Sequence, residues 1–396
     1  MLNFSYKCTE CGREYPISPD LMVCPSCEAN QKANEPLRGT LEMAIEGHLP
    51  DGWDALDLLP VSREYYPDIP VGNTPLWAPA RLRQLTGYNN LFLKDDTCEP
   101  TFSYKDRASF LVAAFCRQHG IHEVAVASTG NAAASMAGVG ASAGLSITIF
   151  VPKNAPKAKL VQCLQYGSRL IPVDGIYDDA FDLSLKYTRK TKALSRNTAY
   201  NPLTIEGKKT AAIEIFRQLG KAPDYVFIPT GDGVILAGIY KGFHDLMQFG
   251  LIDKIPIMVA VQSSGSPNLC KAFEKGNFAS PVPSKTVADS ISVDVPRCGY
   301  LALKNLREYG GMCICVPDEG ILRAQLELSY NTGLFCEPAA ASAYGGFLEG
   351  KEKFEIGKNA CIVLMITGSG LKDIDAASKI LPELPKPIKS LDDLVL

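Results

Sequence analysis

Charge of one sign is scarce in this 396-residue chain: 40 Lys and Arg stand against 43 Asp and Glu, a formal net of −3, with the signs interspersed. No field of that kind draws nucleic acid or an anionic lipid surface, so small molecules are the expected partners. The opening stretch, MLNFSYKCTE, has neither the apolar core of a signal peptide nor the arginine-rich character of a transit sequence, which points to a cytoplasmic protein. Long hydrophobic runs are missing too, with one exception. Residues 124–152 carry no charge, and length alone would let them cross a bilayer. Asn131, several glycines and Ser and Thr interrupt that run, which divides into strand, turn, small-residue helix and strand. That is the pattern of a parallel sheet buried on both faces. Neither G-x-G-x-x-G nor a phosphate-binding G-x4-G-K-[ST] occurs, and there is no internal repeat or low-complexity tract.

The 13 Cys, an odd number in a chain with no export signal, argue against a disulfide framework and for reduced thiols. Nine are scattered in apolar surroundings; Cys313 and Cys315, for example, alternate in the strand-like GGMCICVP. Cys8, Cys11, Cys24 and Cys27 differ, forming two C-x2-C pairs with twelve residues between them. That spacing makes two knuckles of a zinc ribbon, whose thiolates close a tetrahedral shell around Zn2+. A segment of about 30 residues buries too little apolar surface to fold alone, so the metal supplies the missing stability. Residues 1–35 hold three basic against five acidic residues, which cannot neutralise phosphates. The ribbon reads as a structural appendage.

The length of the chain implies more than one core, since single cores stop growing near ~250–300 residues. After the ribbon (1–35), residues 36–70 read as a linker or wrapping arm, punctuated by Gly and Pro. From there, strand-like runs EVAVAS, SITIFVP, RLIPVD, YVFIPT, IPIMVAVQ, MCICVP and ACIVLMIT alternate with amphipathic helical stretches. Alternation of this kind needs crossover helices and predicts an α/β fold with parallel sheets, whose ligands sit at the carboxyl ends of strands.

Four motifs fall at such places. In T-F-S-Y-K-D-R (101–107), Ser103 and Asp106 have capping-box spacing, which predicts Lys105 in a helix's first turn, facing the positive end of the macrodipole. That disfavours the ammonium and favours a nucleophilic amine, although a first-turn Lys taken alone is usually a solvated side chain. In S-T-G-N-A-A-A-S (128–135), the hydroxyls of Ser128 and Thr129, the Asn131 amide and helix-start N–H groups face one pocket suited to a carboxylate or phosphate. The glycines of P-T-G-D-G-V-I (229–235) let successive N–H groups cup an anion. T-G-S-G-L-K-D (367–373) offers the Thr367 hydroxyl at a strand's end, able to bond a ring nitrogen without carrying charge.

Taken in order, these motifs resemble fold-type II pyridoxal-phosphate enzymes, the tryptophan synthase β-like group, and among them are similar to the threonine synthase family. The likeness runs from Gly72-Asn73-Thr74-Pro75-Leu76 to Asp373. It includes Asn201-Pro202, Glu206-Gly207-Lys208-Lys209-Thr210 and Glu337-Pro338-Ala339. It implies two open parallel-sheet lobes, the larger from 71–110 and 200–396 and the smaller from 111–199. It further implies that Lys105 carries pyridoxal 5'-phosphate and that Asn131 bonds the cofactor's phenolic oxygen. Gly231, Asp232, Gly233, Val234 and Ile235 would hold the phosphate through backbone groups, and Thr367 would meet the pyridine nitrogen. The implied reaction converts O-phosphohomoserine and water to threonine and phosphate, with Ser128 and Thr129 binding the leaving phosphate. Enzymes of this group are commonly homodimers.

The sequence departs from that family at informative points. Ile176 stands where Asn is frequent, and Thr204 where Arg is frequent, both near the expected substrate phosphate. Phe102 and Val234 each replace a usual Gly. Arg297 is a candidate substitute anion partner, against the plainer reading as a surface arginine. These departures keep two other reactions in view: β-replacement on phosphoserine, as in cysteate synthase, and dehydration of serine or threonine. A ribbon-bearing scaffold that has lost catalysis is opposed by the intact Lys105 and Asn131.

Overall fold

Runs such as Ile362–Ile366 are buried along their whole length, so their sheet must be covered on both faces. The structure is a computed structural model that describes residues 2–155, 157–383 and 387–390. Its strands, in chain order, are β1 (Asn3–Cys8), β2 (Glu14–Tyr15), β3 (Leu41–Glu46), β4 (Leu76–Trp77), β5 (Leu91–Asp95), β6 (Glu123–Ala127) and β7 (Ser146–Pro152). They continue with β8 (Arg169–Val173), β9 (Leu194–Ser195), β10 (Tyr225–Pro229), β11 (Ile257–Ser263), β12 (Met312–Val316) and β13 (Ile362–Ile366). Every apolar run picked out above forms a strand.

Two sheets carry the body: a six-stranded one ordered β12-β11-β10-β13-β5-β4 and a four-stranded one ordered β8-β7-β6-β9. All their pairings are parallel except β4 with β5. The smaller sheet lies wholly within residues 111–199, and the expected end of the larger lobe at 396 lies outside the described residues. Among the described residues, no helix is long and apolar enough to cross a membrane.

The helix Lys105–Gln118 joins the two halves. On one side Ser109 meets Ser135 of the helix Asn131–Ser142, with 2.7 Å between hydroxyl oxygens. On the other, a Cβ on Gly207 would collide with the Arg107 carbonyl, so only glycine lets the 203–209 turn approach so closely. Arg107 clamps the first turn. Its guanidinium is wholly buried, with Nε 2.6 Å from Asp96 Oδ2 and Nη1 2.6 Å from Glu214 Oε1. Glu214 also accepts from Lys94 of β5 at 2.6 Å. A two-pronged pair of this kind fixes direction as well as distance, so the lysine two residues earlier is aimed by it.

The ribbon is larger than its cysteines suggest. β3, read from sequence as linker, pairs antiparallel with β1 along six residues, giving a sheet ordered β2-β1-β3. Alternate residues Leu41, Met43 and Ile45 are buried, and that apolar face is why the segment forms a strand. The strap before it is tied to the body: Leu37 N–H donates to the Arg297 carbonyl at 2.9 Å, and Arg38 stacks over Tyr300 at 4.6 Å.

Candidate active site

The carboxyl ends of β6 and β10 open onto one cavity of about 560 Å3 between the sheets. Lys105, Ser128, Thr129, Asn131, Gly231, Asp232, Gly233 and Ile235 all line it. Lys105 is the only lysine among the described residues that do so. It is the first residue of its helix, but the expected capping box is not made. Asp106 turns back to accept from the Thr101 amide at 2.7 Å and from its hydroxyl, leaving Tyr104 as the cap and the buried Ser103 Oγ without a partner. Desolvation pushes Lys105 below its ordinary value, Arg196 adds to the effect, and Asp232 and Glu337 oppose it.

Asn131 begins the next helix, and its amide donates to both Glu337 carboxylate oxygens, at 3.1 and 3.0 Å, and to Ser290 at 3.2 Å. Desolvation pushes the Glu337 carboxyl up, against these bonds. Ser128 Oγ accepts from the Gly130 amide at 3.2 Å, which shapes the turn. A smaller hollow of about 430 Å3 shares Thr129, Gly130 and Asn131 with the main cavity and is bounded by Phe102, Tyr166, Glu337 and Lys372.

Opposite lies the loop after β10. Gly233 sits at φ +88 as the cap of the helix Val234–Gln248, and a Cβ on Gly231 would come within 2.9 Å of the Ile291 backbone. Only glycines let this turn bring its amides to the helix start, where an anion is favoured. Val234 is buried and is not among the cavity-lining residues; its amide donates to Asp232 Oδ1 at 3.0 Å. Thr367 sits just past the last strand. It is buried at the end of β13, its carbonyl accepts from the Tyr104 amide at 2.9 Å, and its side chain lines neither hollow.

Two groups to which the sequence reading assigned no role stand behind this loop. Arg196 and Lys208 are both fully buried, and neither is paired with a carboxylate among the described residues. Arg196 reaches the Lys105 carbonyl at 3.3 Å and Ser109 at 3.2 Å; Lys208 Nζ donates to the Thr204 carbonyl at 2.9 Å. Burial pushes Lys208 well below its ordinary value and Arg196 down to about 10, so a nearby anion is what would favour the charged form of both. A phosphorylated cofactor meets that need: a buried amine for its aldehyde, glycine amides for its phosphate and cationic charge behind them.

Of the departures, Ile176 is 68% exposed at the cavity rim, and Thr204 is fully buried with its hydroxyl donated to the Asn201 carbonyl at 2.7 Å. Neither offers a polar group to a ligand. At the ribbon, the four cysteine sulfurs lie within 4.8 Å of one another, with Cys8 and Cys27 3.8 Å apart and Cys11 and Cys24 3.7 Å apart. Thiolates at ~2.3 Å from a tetrahedral zinc lie about 3.8 Å apart, so the set fits that ion.

A lysine at a helix start, a glycine loop and an asparagine turn meeting between two parallel sheets define a pyridoxal-phosphate site of fold-type II. The chain belongs to the pyridoxal-phosphate dependent enzyme family, whose profile matches residues 68–368. It is 33% identical over 377 residues to a threonine synthase of Methanosarcina acetivorans, covering 93% of this chain and 92% of that protein. A threonine synthase of Methanocaldococcus jannaschii is 32% identical over 400 residues, covering 97% and 96%. In fold it is similar to threonine deaminase isoform 2 from Solanum lycopersicum, with a TM-score of 0.69 at 22% identity, covering 84% of this chain and 94% of that one. The protein is a pyridoxal-phosphate-dependent lyase related to threonine synthases.

Proposed function

We propose that the chain is a threonine synthase, converting O-phosphohomoserine and water to threonine and phosphate. The observation that carries this reading is Lys105, the one lysine among the described residues lining the cavity, which shares it with the Ser128, Thr129 and Asn131 turn in a chain similar over nearly its whole length to threonine synthases. When bound, pyridoxal phosphate supplies an electron sink for the substrate's amino carbon. The residues that would hold it are Lys105 at its aldehyde, Gly231 and Gly233 at its phosphate, and Asn131 at its ring oxygen.

This chain's own groups then do the rest. The Lys105 amine, lowered from its ordinary value by burial, takes the proton from Cα and returns protons to carbon. The Ser128 and Thr129 hydroxyls donate to the phosphate as its bond to Cγ breaks and charge collects on the departing oxygen. Glu337 holds the Asn131 amide so that the turn keeps its shape. At the amino terminus, Cys8, Cys11, Cys24 and Cys27 bind one structural Zn2+, and the enzyme assembles as a homodimer in the cytoplasm.

The test is a turnover panel of phosphohomoserine, phosphoserine, serine and threonine, with and without sulfite. Threonine and phosphate formed from phosphohomoserine support the proposal. A 2-oxo acid from serine or threonine, or sulfite consumed with phosphoserine, would replace it with dehydration or β-replacement respectively.

A further inference from the structure

Arg297 and Asp178 meet across the mouth of the cavity from different lobes. Arg297 ends the wall segment 289–297 beside the large sheet, and Asp178 lies in the first turn of the helix Tyr177–Thr191 over the small one. Arg297 Nη2 is 2.5 Å from Asp178 Oδ1, and both residues line the cavity. Arg297 is the only arginine among the described residues that do.

The two partners are held very differently. The guanidinium lies over the Phe181 ring at 5.1 Å, and the Arg297 carbonyl accepts from Leu37 of the strap at 2.9 Å, so both ends of the residue are fixed. Asp178 is 50% exposed in its side chain against 21% for Arg297. An ion pair so open to water contributes little, whereas a phosphate offers the guanidinium a second parallel hydrogen bond and more charge. Ile176 is apolar, and the Thr204 hydroxyl is consumed inside the protein, so neither competes for that role.

We propose that Arg297 is the specificity-determining residue for a phosphate monoester on the substrate, with Asp178 as the internal anion that the phosphate displaces. This rests on the reading of the substrate as a phosphorylated amino acid. The carboxylate shields the cation while the site is empty and turns to solvent when substrate enters. The contact between lobes is thus exchanged for one that passes through the ligand.

Inorganic phosphate is titrated into the cofactor-loaded enzyme by calorimetry, where the cofactor's own phosphate already fills the glycine loop. We expect Arg297→Gln to weaken phosphate binding and raise KM for the phosphorylated substrate by about 10- to 100-fold, leaving the cofactor's absorbance unchanged. Arg297→Lys should recover part of the loss. Asp178→Asn should tighten phosphate several-fold, a gain that a damaged fold would not produce. Phosphate binding equally well to Arg297→Gln, or weakening in Asp178→Asn, would overturn the proposal, as would a wild-type enzyme that binds none. Phosphate binding that depends on Arg297, with turnover of phosphoserine and not phosphohomoserine, would sustain this inference while removing the threonine synthase reading. Turnover of phosphohomoserine untouched by Arg297→Gln would do the reverse.

Discussion

Arg196 rests its guanidinium against the carbonyl of Lys105, at 3.3 Å, and neither side chain forms an ion pair with a carboxylate among the described residues. Burial draws Arg196 itself down to about 10 and holds the Lys105 amine below its ordinary 10.5. Because the neutral amine is the form that attacks an aldehyde, uptake of the cofactor by the apoenzyme should rise with pH through a midpoint below 10.5. Arg196→Gln removes a nearby positive charge, so it should move that midpoint upward and slow uptake near neutrality but not at alkaline pH. Stopped-flow absorbance measures it, and a midpoint that stayed still or fell would contradict the argument.

The Arg107 cluster predicts acid sensitivity. Arg107 and Lys94 hold the buried Glu214 carboxyl down to about 2 from an ordinary 4.5. A carboxyl lowered on folding contributes stability above its unfolded value and loses it as pH falls, so this contribution fades between about 4.5 and 2. Arg107→Met leaves Asp96 and Glu214 buried without that cation and should cost about 3–5 kcal/mol in urea unfolding at neutral pH. The variant should also lose the acid-induced decline that belongs to Glu214.

Phe102 adopts φ 70, in the left-handed region, with its ring 43% exposed. A non-glycine residue there costs roughly 1–2 kcal/mol, while glycine loses roughly 0.5–1 kcal/mol in unfolded-state entropy. The strain outweighs the entropy, and a half-open ring contributes little burial. Phe102→Gly should therefore leave thermal stability unchanged or raise it by up to about 1 kcal/mol. A loss comparable to that of a core phenylalanine would show that the ring is held by contacts stronger than its exposure implies.

Cys24 is wholly buried, and its amide donates to the Gly39 carbonyl at 2.8 Å. Cys24→Ser should abolish zinc binding and open residues 2–46 to protease, while the α/β body keeps its helical circular dichroism. Metal analysis of the purified chain should give one zinc per subunit in the wild type and none in the variant.

The long apolar strands were legible because both their faces are buried, which writes an unbroken hydrophobic run into the sequence. β5 was not, because LFLKD ends in charges that look like surface. Lys94 is fully buried there, and its partner Glu214 lies 120 residues away, beyond any local pattern. The same limit hid Arg196 and the depth of Lys208, both fully buried through contacts distant in the chain. Lys105 and Asn131 were visible through the turns that carry them. The capping-box spacing misled, since Thr101 offered Asp106 both an amide and a hydroxyl closer to hand. Thr367 was read from its strand-end position, and its carbonyl there accepts from the Tyr104 amide.

β3 comes after the strap yet completes the sheet that begins before it, so the cysteine module and the catalytic body share a seam that no single cut respects. A version trimmed at residue 35 would keep Leu41, Met43 and Ile45 but strip away the six-residue partner that covers their strand. Such an edge invites other chains to pair with it, and the shortened protein would be recovered in clumps. A usable truncation must start beyond Glu46.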